Sequence, residues 1–94
     1  MKATVVGLVT PHILRLLDIA KQAETGTNVD WHLRDAVAGT LEDLRQQFNA
    51  RELLAAYANG LEMAARDAGP GRSGYAEQLR AAARIATREI DRLD

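Results

Sequence analysis

The sequence predicts an all-α fold, a small antiparallel bundle of four helices preceded by a short N-terminal arm. Three segments repeat apolar residues three or four positions apart, which matches the 3.6-residue turn of an α-helix and does not match the alternation of a β-strand. The three series are Leu33, Val37, Leu41, Leu44 and Phe48; Leu53, Tyr57, Leu61, Ala64 and Ala68; and Tyr75, Leu79, Ala82, Ala83, Ala86, Ile90 and Leu93.

Length and composition predict the number of domains and the cellular location of the protein. Ninety-four residues predict one domain, and 17 of them are alanine, so the helices must pack with closely spaced backbones. Because so small a core is only marginally stable, we expect association with a second copy, a dimer first. The absence of cysteine predicts a cytoplasmic protein without disulfides. No apolar run approaches the roughly 20 residues of a membrane span, so no membrane association is expected.

The first helix is predicted over about residues 11–24. Thr10 precedes Pro11, and a threonine cap followed by proline at the first helical position is a typical helix start. Residues 1–9 are rich in β-branched side chains around Gly7, which favours either an extended arm or a frayed first turn.

The second helix is predicted over about residues 29–48. Gly26 suits the left-handed conformation that ends the preceding helix. Thr27 with Asp30 three residues later resembles a capping box with aspartate in place of glutamate. Gly39 inside the helix costs about 1 kcal/mol relative to alanine, but the apolar series continues past it.

The third helix is predicted over about residues 50–68, where Asn49 and Glu52 have capping-box spacing. Asn59 and Gly60 also favour turns, yet the apolar series stays in phase through them, so one helix with a close contact at Gly60 is expected.

The fourth helix is predicted over about residues 74–93, after the glycine-rich loop 69–74, with Ser73 as its cap. This loop joins two alanine-rich helices, which predicts a closely packed antiparallel hairpin. Tyr57 and Tyr75 lie on the apolar faces of the two helices, and we expect both rings in the core or at a dimer interface, with their hydroxyl groups at the solvent.

The most suggestive polar feature is a row of arginines four residues apart on the last helix. Arginine presents a planar fork of donors to carboxylates and phosphates, so this row predicts a surface for an acidic protein partner. The alternative is a solvated helix face whose charge is offset by Glu77, Glu89 and Asp91. The arginine row consists of Arg80, Arg84, Arg88 and Arg92.

Apolar residues cover more than half of the circumference of the first helix, which predicts that it faces a second chain. Trp31 stands at the start of the second helix, where it either packs the preceding loop onto the bundle or anchors an interface, since tryptophan is enriched among residues that dominate binding energy. The residues predicted for self-association are Ile13, Leu16, Leu17 and Trp31.

No residue pattern predicts catalysis, a metal or a cofactor. Cysteine is absent, Ser73 is the only serine, and neither His12 nor His32 has a glutamate at the spacing of a helical metal site. The sequence therefore predicts a non-enzymatic protein-binding module. It would regulate or inhibit a larger macromolecular machine, or serve as an assembly subunit, as many small phage and mobile-element proteins do.

The alternative function is a nucleic-acid-binding regulator that uses the arginine row. It is disfavoured because the net charge is −1 and the sequence pI is near 6.1, whereas such domains are usually basic. Residues Ala56 and Gly60 have helix-turn-helix spacing, but the residues after Gly60 do not continue that pattern.

Overall fold

The computed structural model describes residues 4–26 and 28–93, and it confirms the all-α fold class. Four α-helices account for most of these residues, and no strand occurs among them. A single 3-10 turn, Pro70–Arg72, precedes the last helix. The helices are α1 (Val5–Ala23), α2 (Asp30–Arg45), α3 (Ala50–Asp67) and α4 (Ser73–Arg92).

Contacts between distant residues define the directions of the helices. Arg72, at the start of α4, pairs with Glu24, which follows α1, so α1 and α4 are antiparallel. Arg45, at the end of α2, pairs with Glu89 near the end of α4, so these two helices run in the same direction. Successive helices therefore alternate in direction, and the interface between α3 and α4 is the most extensive, as the predicted hairpin requires.

The core lies between the four helices and is built mainly from leucine and alanine. Burying each leucine contributes about 1.5–3 kcal/mol relative to leaving it exposed, and the alanines let the helix backbones approach closely. The largest side chains that are almost completely buried are Tyr57, Leu16, Leu53, Leu54, Leu61, Leu79, Val29 and Val37.

The predicted start of the first helix is wrong, because α1 begins at Val5 rather than at Pro11. Thr4 caps it by accepting a hydrogen bond from the Gly7 amide at 2.9 Å. Pro11 lies inside α1 and removes one backbone donor. The helix continues through it because Val9 is buried against the core. Residues 4–9 thus form a cap and the first helical turns rather than an arm.

The predicted end of the second helix is also wrong, because α2 ends at Arg45 and not near residue 48. A helix that reached Phe48 would leave too few residues to reverse the chain before Ala50, where α3 begins. The reversal uses residues 46–49 instead, and it leaves Phe48 fully exposed rather than on the apolar face of α2.

The predicted caps are only partly confirmed. Thr27 lies outside the described residues, and Asn28 accepts a hydrogen bond from the Asp30 amide at 3.1 Å. Asn49 occupies the N-cap of α3 as predicted, but its side chain makes no capping hydrogen bond. Ser73 is the first residue of α4 rather than its cap. Gly26 has a φ of 86°, the left-handed conformation predicted for it.

Candidate functional site

All four side chains of the arginine row are exposed on α4, as predicted, but the structure divides them among three surroundings. Arg84 and Arg88 line a groove between α2 and α4. Arg80 lines a second groove, beside α3 and the loop that follows it. Arg92 forms an ion pair with Glu89 at 3.6 Å. The row is therefore not one uniform surface.

The first of these grooves is open to solvent and has a volume of about 370 Å³. Its apolar part is formed by Leu33, which is buried, and by Ala81 and Ile85, which are half-buried. Polar and charged side chains surround this apolar part. We call it the α2–α4 groove, lined by Asp30, Leu33, Arg34, Gln78, Ala81, Arg84, Ile85 and Arg88.

The rim of the α2–α4 groove carries an excess of positive charge. Arg34 from α2 faces the same groove as Arg84 and Arg88 from α4, and Asp30 is the single acidic side chain in the lining. Within residues 4–26 and 28–93, no ion pair joins any of these three arginines to a carboxylate. Their guanidinium donors are therefore available to a ligand.

The arginines at the end of the bundle have structural partners instead. The Glu89 side chain is only 9% exposed, and the Arg45 guanidinium donates a hydrogen bond to it at 2.8 Å. This hydrogen bond, together with the charge of Glu42, raises the pKa of Arg45. Because a nearly buried carboxylate must be paired, Arg45 and Arg92 serve the fold here, and Arg92 is less available to a partner than the sequence predicts.

The second groove contains two further arginines. Arg66 and Arg80 line it, together with Gly69 and Pro70 of the α3–α4 connection and Ser73 at the start of α4. Its volume is about 340 Å³. Its apolar side chains are Ala65, Pro70 and Ala76, all smaller than Leu33 and Ile85, so it provides less surface for a hydrophobic anchor than the α2–α4 groove does.

The residues predicted for self-association fall into three groups. Leu16 is 1% exposed and belongs to the core of the single chain, so its placement on a surface is corrected. Ile13 and Leu17 are half-buried and pack against that core. Trp31 is 72% exposed. The exposed apolar residues of α1 are instead Val6, Leu8 and Leu14, because the core-facing side of the helix is set by Val9, Leu16 and Ala20.

Trp31 lies near Arg34 on the surface of α2, outside the residues that line the α2–α4 groove. It follows Asp30 directly and precedes Arg34 by three residues, which places it about 60° around α2 from Arg34. Its ring meets the ring of His32 edge-on, with the centroids 5.2 Å apart. An exposed aromatic side chain thus stands near Arg34 on α2, and tryptophan and arginine are both enriched at binding hot spots.

Arg34 is a candidate site residue that the residue pattern alone does not indicate. It follows the core residue Leu33 directly and is exposed, which is typical of the edge of a buried helix face. Its place in the same groove as Arg84 depends on the packing of α2 against α4, and residue spacing within one helix contains no information on that packing.

Other classes of site are not formed by the described residues. In that part of the chain, no group of three histidine, cysteine, aspartate or glutamate side chains is arranged to hold a metal ion. None of the described helices is both long enough and apolar enough to cross a membrane. The chain matches no protein-family model, no curated protein and no solved structure.

Proposed function

We propose that this protein is a protein-binding module that acts as a regulator of a larger assembly or as one of its subunits. Its partner-binding surface is the α2–α4 groove together with Trp31. The observation that carries the proposal is the combination of Arg34, Arg84 and Arg88, unpaired within the described chain, around an apolar groove. Such a surface suits an acidic protein partner, because arginine binds carboxylates through two parallel hydrogen bonds.

Protein is favoured over nucleic acid by the charge and the lining of the groove. Binding to phosphates requires a strongly basic face, whereas this chain has a net charge of −1 and Asp30 lies on the rim. The apolar side chains of Leu33 and Ile85 offer nothing to a phosphate backbone, but they can receive an apolar side chain of a partner.

The experiment is affinity capture from a nuclease-treated extract of the native host, with the wild-type protein and Arg84→Glu/Arg88→Glu as baits. We expect the wild-type protein to retain a partner that the variant loses. The matched control is Arg15→Glu/Arg66→Glu, which makes the same change of charge on α1 and α3 and should retain the partner. Circular dichroism of each variant verifies that the helices are intact.

Two results would contradict the proposal. One is a partner retained equally by the wild type and Arg84→Glu/Arg88→Glu. The other is retention of nucleic acid in an untreated extract, with no protein retained after nuclease treatment, which would favour the nucleic-acid alternative.

A further inference from the structure

We infer, on the basis of the proposed function, that the α2–α4 groove binds a short acidic peptide segment with an apolar residue between its carboxylates. The order of charged and apolar side chains along the groove sets the chemistry of this segment. Gln78, Arg84 and Arg88 follow one another along α4, while Asp30 precedes Arg34 on α2.

The spacing of the arginines sets the spacing of the carboxylates. Arg84 and Arg88 are one turn apart on α4, a rise of about 6 Å. Carboxylates four residues apart on a helix are separated by about 6 Å, and a residue three positions after the first carboxylate lies on nearly the same face. Carboxylates two residues apart on an extended peptide are about 6.6 Å apart, but the residue between them points to the opposite face. A helical segment therefore pairs with both guanidinium groups and presents its apolar residue to the groove.

The apolar side chains require an apolar residue in the same segment. Ile85 follows Arg84 directly, and Leu33 precedes Arg34 directly, so apolar surface lies between the arginines of the two helices. A purely acidic segment would cover this surface without a hydrophobic contact. A leucine, isoleucine or phenylalanine between the carboxylates would bury it and contribute about 25 cal/mol per Å² of buried area.

The two ends of the α2–α4 groove also differ in charge. Because α2 and α4 run in the same direction, Asp30 and Gln78 mark one end of the groove and Arg88 marks the other. Asp30 repels a carboxylate at its own end. The acidic residues of the segment therefore lie toward Arg88, and a neutral or basic residue lies toward Asp30.

The probe for this inference is a display library of random peptides selected on the full-length protein. We expect enriched peptides to carry two or more acidic residues around an apolar one. Their dissociation constants, followed through the fluorescence of the single tryptophan, Trp31, should rise about tenfold or more in Arg84→Glu/Arg88→Glu. The control Arg15→Glu/Arg66→Glu should leave them unchanged. Ile85→Ser should weaken the same peptides without altering their salt dependence.

Several outcomes would overturn the inference. They are a library that yields no peptide above background, enriched peptides without acidic residues, or peptide affinities that do not depend on Arg84 and Arg88. If one of these results is obtained but the host extract yields a partner that depends on Arg84 and Arg88, the proposed function stands and only the peptide inference is refuted. A single-stranded DNA oligonucleotide that binds more tightly than every selected peptide would refute both.

Discussion

The Cδ1 atom of Ile13 on α1 packs against the Cα position of Gly60 on α3, so closely that a Cβ at Gly60 would lie well inside 3.0 Å of it. Gly39 on α2 has no atom within 4 Å of the position where its Cβ would be. Both glycines are inside helices, where glycine costs about 0.8–1 kcal/mol relative to alanine. Alanine at residue 39 therefore changes helix propensity alone, whereas alanine at residue 60 changes both helix propensity and packing.

We predict that Gly39→Ala raises the free energy of unfolding by about 0.5–1 kcal/mol, since the new methyl group meets no neighbour. Gly60→Ala gains the same propensity, but the new methyl group forces the Cδ1 end of the partly buried Ile13 side chain to move, which offsets part of that gain. Gly60→Ala is therefore expected to be less stable than Gly39→Ala, as measured by urea denaturation.

The double variant Gly60→Ala/Ile13→Val is the control for this explanation, because valine lacks the Cδ1 atom. A double-mutant cycle should show that alanine at residue 60 is better tolerated beside valine than beside isoleucine. Equal stabilisation by Gly39→Ala and Gly60→Ala would show that the α1–α3 contact does not constrain residue 60.

The contact at Gly60 is one of the features that the residue pattern alone predicts. Periodicity predicts an unbroken α3 with a close contact at Gly60, and this is confirmed. It also predicts the α3–α4 hairpin and the exposure of Arg84 and Arg88, which are confirmed as well. Each depends on the spacing of residues within one helix or one hairpin.

The predictions that failed depend on contacts between helices. Pro11 is a local signal for a helix start, but burial of Val9 extends α1 past it. Phe48 continues the apolar spacing of α2, but the chain must reverse before α3. The presence of Arg34 and Arg84 in one groove is set by the packing of α2 on α4. Spacing along one helix does not determine any of these relationships.

The hydroxyl group of Tyr57 provides a second prediction. It was expected at the solvent, but it is buried and makes no hydrogen bond within the described part of the chain. Burial raises the pKa of Tyr57 to about 12; a contact with the Thr40 hydroxyl group that falls short of a hydrogen bond, and the charge of Arg15, lower it by less. Thr40 itself contacts the Nδ1 atom of His12 at 3.2 Å.

We predict that Tyr57→Phe raises the free energy of unfolding at neutral pH by about 1 kcal/mol, because it removes a buried polar group without a partner. The folded-state pKa lies above the value of about 10 in the unfolded chain. The wild-type protein should therefore keep its full stability below pH 10 and lose part of it as the pH rises toward 12.

Denaturation of Tyr57→Phe over the same alkaline range should show a smaller loss. The variant Tyr75→Phe leaves Tyr57 as the only tyrosine, so the absorbance of its tyrosinate reports the titration of that group alone. A marked loss of stability in Tyr57→Phe at neutral pH would instead show that the hydroxyl group has a partner.

The ion pair between Glu24 and Arg72 predicts acid sensitivity. The Arg72 guanidinium donates two hydrogen bonds to this carboxylate, both at 2.7 Å, and lies over the ring of Tyr75 at 4.0 Å. These hydrogen bonds lower the pKa of Glu24 from its usual 4.5. The stability that the pair contributes is therefore present above about pH 4.5 and is lost as the pH falls through the lower folded-state pKa.

We expect Glu24→Gln to be less stable than the wild type at neutral pH, and the difference to narrow as the pH is lowered to about 3. The difference in stability between Glu24→Gln and the wild type is measured from urea denaturation midpoints at several pH values. Glu62→Gln, at an exposed glutamate without an ion pair in the described chain, is the control and should show no such narrowing. A difference that is independent of pH would mean that the pair does not couple α1 to the start of α4.

The neighbouring leucines of α1 separate core packing from surface exposure. Leu16 is 1% exposed, whereas Leu14 is 56% exposed. Leu16→Ala removes buried methyl groups and should cost about 2–5 kcal/mol, while Leu14→Ala should change the free energy of unfolding by less than about 0.5 kcal/mol, measured at a concentration at which the chain is monomeric. Similar effects of the two substitutions on thermal or urea unfolding would contradict the orientation of α1.

The homodimer remains a prediction from the sequence, and the exposed apolar residues of α1 give it a direct test. Light scattering at two concentrations should give twice the chain mass of 10.3 kDa. Leu14→Glu places a charge on the exposed face of α1 and should reduce the mass to that of one chain, because an unpaired charge is costly to bury. Phe48→Glu introduces the same charge at the fully exposed α2–α3 connection and should leave the dimer intact. If instead Phe48→Glu dissociates the dimer and Leu14→Glu does not, the contact between copies lies at the end of the bundle. If the wild-type protein is a monomer at both concentrations, the exposed leucines of α1 are solvated and the dimer prediction is wrong.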